Sequence, residues 1–167
     1  MNAIIIKGVQ LQNQSFKYFL KALCTDSSKQ NIFNKIEITE KEMAVTDGYR
    51  IHIMENINQY EPGVYSVESK SAKSIVLEKI DVKYPEWELA INGEIEKAGT
   101  EFTAGLDSNK SISLFTVFYE LGKMFSYKFF DDMLTDETVF TPCLLIGGPI
   151  IFKHANGNKT IIMPIVP

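Results

Sequence analysis

The octapeptide Ala44-Val45-Thr46-Asp47-Gly48-Tyr49-Arg50-Ile51 reads as two strand segments meeting at Asp47-Gly48. That dipeptide favours a tight turn, because glycine accepts a positive φ at no steric cost. On its N-terminal side Ile36 and Ile38 alternate with polar residues, and Thr39-Glu40-Lys41-Glu42 forms a polar turn. On its C-terminal side Ile51 and Ile53 resume the same period of two. A hairpin followed by a further strand is therefore predicted between residues 32 and 54. Pro62-Gly63 marks the next turn, and Val64-Tyr65-Ser66-Val67 the next strand. Ahead of the hairpin, the β-branched run from Ala3 to Val9 predicts a strand. Phe16, Phe19, Leu20 and Leu23 then follow at i, i+3, i+4 and i+7, the spacing of an amphipathic helix, with Asn13 or Ser15 available as its cap. The order over about residues 1–69 is β-α-β-β-β.

The same order is predicted again over about residues 111–167. Ile112 to Tyr119, rich in β-branched and aromatic residues, reads as a strand. Phe125 to Leu134 places Tyr127, Phe130, Met133 and Leu134 on one helical face. Val139 to Ile146, Pro149 to Lys153 and Thr160 to Ile165 read as strands, separated by the turn dipeptides Gly147-Gly148 and Asn156-Gly157. Between the halves, about residues 70–110 read as an acidic, irregular connection. Within it Ser71 to Ile80 is a candidate short helix and Trp87 to Ile91 a candidate short strand. The halves share element order and no evident sequence identity. The expected class is α+β, a single domain with antiparallel sheets joined by short turns and two main helices.

At 167 residues, 45% hydrophobic and 23% charged, the chain is long enough to bury a core without staples, and its composition excludes a disordered or collagen-like protein. Its first residues have no basic stretch ahead of the apolar Ala3-Ile4-Ile5-Ile6, and no apolar run reaches the roughly 20 residues of a membrane-spanning helix. A cytoplasmic protein without membrane partners is expected. Cys24 and Cys143 lie far apart, with no second ligand at metal spacing, so reduced thiols are expected. The net charge is -4, unlike that of a generally basic nucleic-acid binder. The excess of acids is concentrated in residues 51–119, which hold eleven Asp or Glu against six Lys or Arg.

Catalytic chemistry finds few groups to use. His52 sits between Ile51 and Ile53, and His154 stands just before a turn; neither has the neighbouring nucleophile or paired acids that a reaction would need. Asp131 and Asp132 are adjacent on a predicted helix and so point about 100° apart, which is no metal site. Gly147-Gly148-Pro149 lacks the lysine of a phosphate loop. No enzyme, cofactor or metal is expected.

Two strings carry a family resemblance. Ala44 to Ile51 resembles the A-T-D-G-H-R-L strand of the bacterial replication sliding clamp, the beta subunit of DNA polymerase III, and Ile161-Ile162-Met163-Pro164-Ile165 resembles the V-V-M-P-M that ends it. Weaker matches support them. Val64 to Lys70 looks like the strand leading into a clamp helix, Tyr84-Pro85-Glu86-Trp87 resembles F-P-D-Y, and Ser126 to Leu134 resembles the N-x-x-Y-L-x-x-x-L helix. The resemblance covers residues 7–91 in the manner of the clamp's middle domain, and 118–165 in the manner of the last half of its final domain. Each clamp domain consists of two β-α-β-β-β units, the order read here from periodicity alone. A full clamp has three domains; this chain is expected to have one.

The resemblance implies a pocket for short linear motifs of polymerases and clamp loaders. Carried over by position, the candidates are Thr46, Gly48, Tyr49, Arg50, Ile161 and Met163, with Pro164 shaping the strand end. Tyr49 stands where the family has His. The chemistry fits such a pocket, with an adaptable Met, a Gly that lets backbone approach, and an Arg as flanking donor. The same residues also fit an ordinary turn, a buried strand and core filling. The family lines its ring with basic helices, which implies weak, salt-sensitive DNA binding through Lys17 and Lys21, one turn apart; a solvated helix face is the other reading. The second helix carries Lys128, Asp131 and Asp132 and is net negative. The implied roles are a homo-oligomeric processivity factor or scaffold, or a regulatory or structural module that keeps the fold without encircling DNA.

Overall fold

The structure, a computed structural model, describes residues 3–24, 33–104, 110–134 and 138–165. The chain forms two compact units, Met1–Pro85 and Glu86–Pro167.

The first unit begins with strand β1 (Ala3–Lys7), a single helical turn α1 (Gly8–Leu11) and helix α2 (Gln14–Leu20). Five strands follow: β2 (Lys35–Ile38), β3 (Glu42–Thr46), β4 (Arg50–Glu55), β5 (Gly63–Lys70) and β6 (Ser74–Ile80). They form a sheet in the order β1-β6-β5-β2-β3-β4, with every neighbouring pair antiparallel. The β2–β3 turn closes because the Thr39 hydroxyl accepts from the Glu42 amide (2.9 Å) and donates to the Glu42 carbonyl (3.0 Å). Helix α2 starts where the Asn13 side chain accepts from the Ser15 amide at 2.8 Å, and it buries Phe16, Tyr18 and Phe19. Tyr18 stacks on His52 of β4 with ring centroids 4.4 Å apart, and the Tyr18 carbonyl lies 2.8 Å from His52 Nδ1. These contacts fix α2 against the strand that ends the octapeptide hairpin.

The second unit contains α3 (Trp87–Ile91), β7 (Ile95–Ala98), β8 (Phe102–Ala104), α4 (Lys110–Leu121), α5 (Tyr127–Met133), β9 (Thr138–Leu145), β10 (Ile150–His154) and β11 (Lys159–Ile162). Its strands run β11-β10-β9-β7, all antiparallel, and β8 pairs with the other end of β9. The core is aromatic. Phe125 meets Phe152 edge-on at 5.5 Å and Phe118 at 5.0 Å, while Phe102 stacks on Phe140 at 5.5 Å. Gly147 and Gly148 turn β9 into β10 with φ values of +94° and +102°.

The α+β class, the antiparallel sheets and the clamp-like architecture are as expected. Five helical segments occur among the described residues, where two main helices were expected. Four local readings are corrected. Ser71–Ile80 is not a helix: β6 buries Ile75 and Leu77 on alternate positions and is paired on both sides, by β1 and β5. Val64 to Lys70 accordingly leads into a hairpin rather than a helix. Trp87–Ile91 is helical, not extended, with Trp87 buried. Residues 112–119 belong to α4, whose Leu114, Val117 and Leu121 face inward at helical spacing while Phe115 and Tyr119 are exposed. The second β-α-β-β-β order therefore starts from β8, not from residue 112. The segment 70–110 is mostly regular structure, and 105–109 lie outside the described residues.

No helix among the described residues is long and apolar enough to cross a membrane. Among those residues no group of three His, Cys, Asp or Glu side chains is placed to hold a metal ion, and Cys24 and Cys143 are free thiols.

Candidate functional site

In the first unit, the Thr46–Arg50 turn is a network that organises itself. The Thr46 hydroxyl, buried, donates to the Arg50 carbonyl at 2.7 Å and accepts from the Gly48 amide at 3.0 Å. Asp47 accepts from the Tyr49 and Arg50 amides at 3.0 and 3.2 Å, an Asx-type turn. Its other oxygen takes the Arg50 Nε–H at 3.0 Å. Arg50 is only 2% exposed, and its Nη2 donates to the Lys21 carbonyl at 2.7 Å, just past the end of α2. Gly48 has φ +91°, and a Cβ there would stand 2.9 Å from the Phe33 ring, so both conformation and space call for glycine. Tyr49 is the exposed member, at 60%. Lys17 on α2 and Lys21 just beyond it are both exposed.

In the second unit, three loops line an open hollow of about 510 Å³. It is lined by residues 122–124 between α4 and α5, by 147–148 of the β9–β10 turn, and by 163–165 after β11. The Ile165 amide donates to the Met124 carbonyl at 2.8 Å, which ties the terminal segment to the interhelical loop. Met124, Met163 and Ile165 are all about half exposed or more, so three flexible or branched apolar side chains face an open hollow with Lys123 at its side. Volume and lining are those of a small-ligand or peptide-anchor site. Of the expected residues, Met163 and Pro164 line this cavity. Ile161 is buried in β11 opposite Ile151 of β10.

Sequence reasoning did not find Met124, Lys123 or Ile165. Reading residues 112–119 as a strand hid the interhelical loop that presents Lys123 and Met124. The available signal was Gly122, which has φ +67° just after the last helical residue and marks a helix end. The remaining polar core is structural: His154 Nε2 lies 3.0 Å from the Thr160 hydroxyl, and the His154 ring meets Phe140 edge-on at 4.6 Å. Burial pushes the His154 pKa down to about 3.

This combination of antiparallel strands and helices is the sliding-clamp fold. In particular, it is similar to the DNA polymerase III beta subunit of Thermotoga maritima, with TM-score 0.63 and 13% identity over 99% of this chain and 65% of that one. The beta subunit from the DNA polymerase of Streptococcus pyogenes gives 0.61 and 12%, over 100% and 66%. The DNA polymerase sliding clamp of Bacillus subtilis gives 0.55 and 12%, over 99% and 64%. The match thus spans less than two thirds of each of these clamp chains, and at such identities the likeness is one of fold. No family model and no curated protein sequence matches the chain.

Proposed function

We propose that this protein is a non-catalytic clamp-fold processivity factor or scaffold that captures short linear motifs of polymerase-like or clamp-loader-like partners. The observation that carries the reading is the cavity of the second unit, where Met163, Met124 and Ile165 leave apolar surface open to solvent beside Pro164. A solitary exposed Leu or Met needs no explanation, but three around one hollow favour an apolar ligand. A peptide with Leu and Phe anchors fits it through buried apolar contacts, and the adaptable methionines set its tolerance for sequence. Ile161, buried in β11, anchors the strand that leads into Met163 and Pro164; in the first unit Thr46, Gly48 and Arg50 shape the turn that presents Tyr49 to solvent as a separate candidate contact.

The test is calorimetric titration with such a peptide. Met163→Ala should weaken binding by about 1 to 3 kcal/mol, the scale of one buried apolar side chain, with unfolding stability nearly unchanged because Met163 is 48% exposed. A variant that instead unfolds would assign Met163 to the core.

DNA enters as a weaker, salt-sensitive partner through exposed Lys17 and Lys21. Replacing both with Ala should flatten the dependence of affinity on salt. Peptide binding without any DNA binding would favour the regulatory module that keeps the fold without encircling DNA.

A further inference from the structure

The end of the sheet formed by β1, β6 and β5 carries a cluster of cations that neither proposed surface uses. Lys7 on β1 pairs with Ser74 on β6, Lys70 on β5 pairs with Ile75, and Lys73 sits in the intervening turn. All three lysines are exposed, and among the described residues none is paired with a carboxylate. Consecutive residues of a strand point to opposite faces, so Lys7 and Lys70 leave the sheet on opposite sides, with Lys73 at the tip between them. Three ammonium groups at one end of the sheet, without a carboxylate partner among the described residues, stand out in a chain of net charge -4.

The tip is held without help from these lysines. The Ser71 hydroxyl accepts from the Lys73 and Ser74 amides at 3.2 and 3.1 Å, and the Ser71 amide donates to the Ser74 carbonyl at 2.9 Å. The adjoining α1 turn packs so closely that a Cβ on Gly8 would stand 3.0 Å from the Lys73 carbonyl oxygen. Nearby Glu68 accepts from the Ser66 hydroxyl at 2.6 Å. The remaining tip residues, Ser69, Ser71, Ala72 and Ser74, are small.

We propose that this hairpin end, with Lys7, is a second, sequence-independent contact for the phosphates of duplex nucleic acid. Exposed ammonium groups on both faces of the sheet end and at its turn suit the closely spaced phosphates of a duplex backbone, whose neutralisation is independent of base sequence. Lysine and serine are phosphate-contacting residue types, and the tip offers no aromatic or amide side chain to read a base edge. The proposal extends the DNA part of the proposed function and is independent of the peptide cavity.

The experiment is fluorescence anisotropy of a labelled duplex DNA with the full chain across a salt series. The triple variant K7Q/K70Q/K73Q should lose at least tenfold in affinity at low salt and reduce the salt slope by about 0.9 for each phosphate that is no longer neutralised. K7R/K70R/K73R, which keeps the charges, should retain binding. Because all three positions are exposed, the fold should survive, and an unchanged circular dichroism spectrum checks this. A Gln variant with the wild-type slope would overturn the assignment, as would loss of binding only in K17A/K21A, which leaves the α2 contact as the sole one. Competition by poly-glutamate as strong as by unlabelled duplex would also overturn it, because the surface would then be a general anion sink. Peptide titration of the triple variant separates failure here from failure of the cavity reading.

Discussion

Arg50 and His154 show how buried polar side chains constrain this protein. The Arg50 guanidinium bridges Asp47 and the Lys21 carbonyl while almost fully buried, so Arg50→Met would leave both without that donor. Destabilisation of about 2 to 3 kcal/mol in urea unfolding is expected, and a change below about 0.5 kcal/mol, the ordinary size of a surface substitution, would show that the bridge is not a stabilising element. His154 has a folded pKa near 3 against an ordinary 6.5. Below pH 6.5 the unfolded chain takes up a proton that the folded chain refuses. This group's contribution is therefore complete above about pH 6.5 and declines towards pH 3, by about 1.4 kcal/mol per pH unit. Unfolding at pH 7 and pH 5 should show a shallower pH dependence for His154→Gln than for the wild type; equal slopes would mean that the folded chain protonates His154 as readily as the unfolded chain does. The sequence disclosed the residue types at these positions but not their partners. A bond such as Arg50 to Lys21, across 29 positions, depends on how α2 lies on β4, and no local pattern encodes that.

Elements were legible where one face alone is buried and obscure where pattern and composition pulled apart. The octapeptide hairpin and α2 were readable because Ile36 and Ile38 alternate with polar residues and Phe16 and Phe19 recur at helical spacing. Residues 112–119 misled because β-branched and aromatic content suggests a strand, while Leu114, Val117 and Leu121 keep a helical period that decides the packing. Ser71–Ile80 misled in the other direction: its Ile75 and Leu77 alternate, and pairing with strands on both sides outweighs any helical tendency. At the start of α2, Asn13 satisfies an amide that would otherwise lack an intrahelical partner. Asn13→Ala should cost about 1 kcal/mol and lower the thermal midpoint by several degrees. An unchanged midpoint would mean that solvent replaces the cap at no cost.

For the molecule as a whole, the clamp-like architecture was readable from two short strings and the repeated element order, and the solved clamp structures agree in fold across nearly all of the chain. The cavity was only half readable. Met163 and Pro164 lie in a recognisable string, whereas Lys123 and Met124 come from a loop between two helices, one of which the sequence had disguised as a strand. The central claim is that this open apolar hollow binds peptides. Isothermal titration of the intact protein with a short peptide bearing Leu and Phe anchors tests it most directly. The account predicts saturable binding with a Kd on the order of micromolar to a hundred micromolar, weakened by Met163→Ala at unchanged stability. No heat of binding at about millimolar peptide, from a protein shown to be folded, would contradict it.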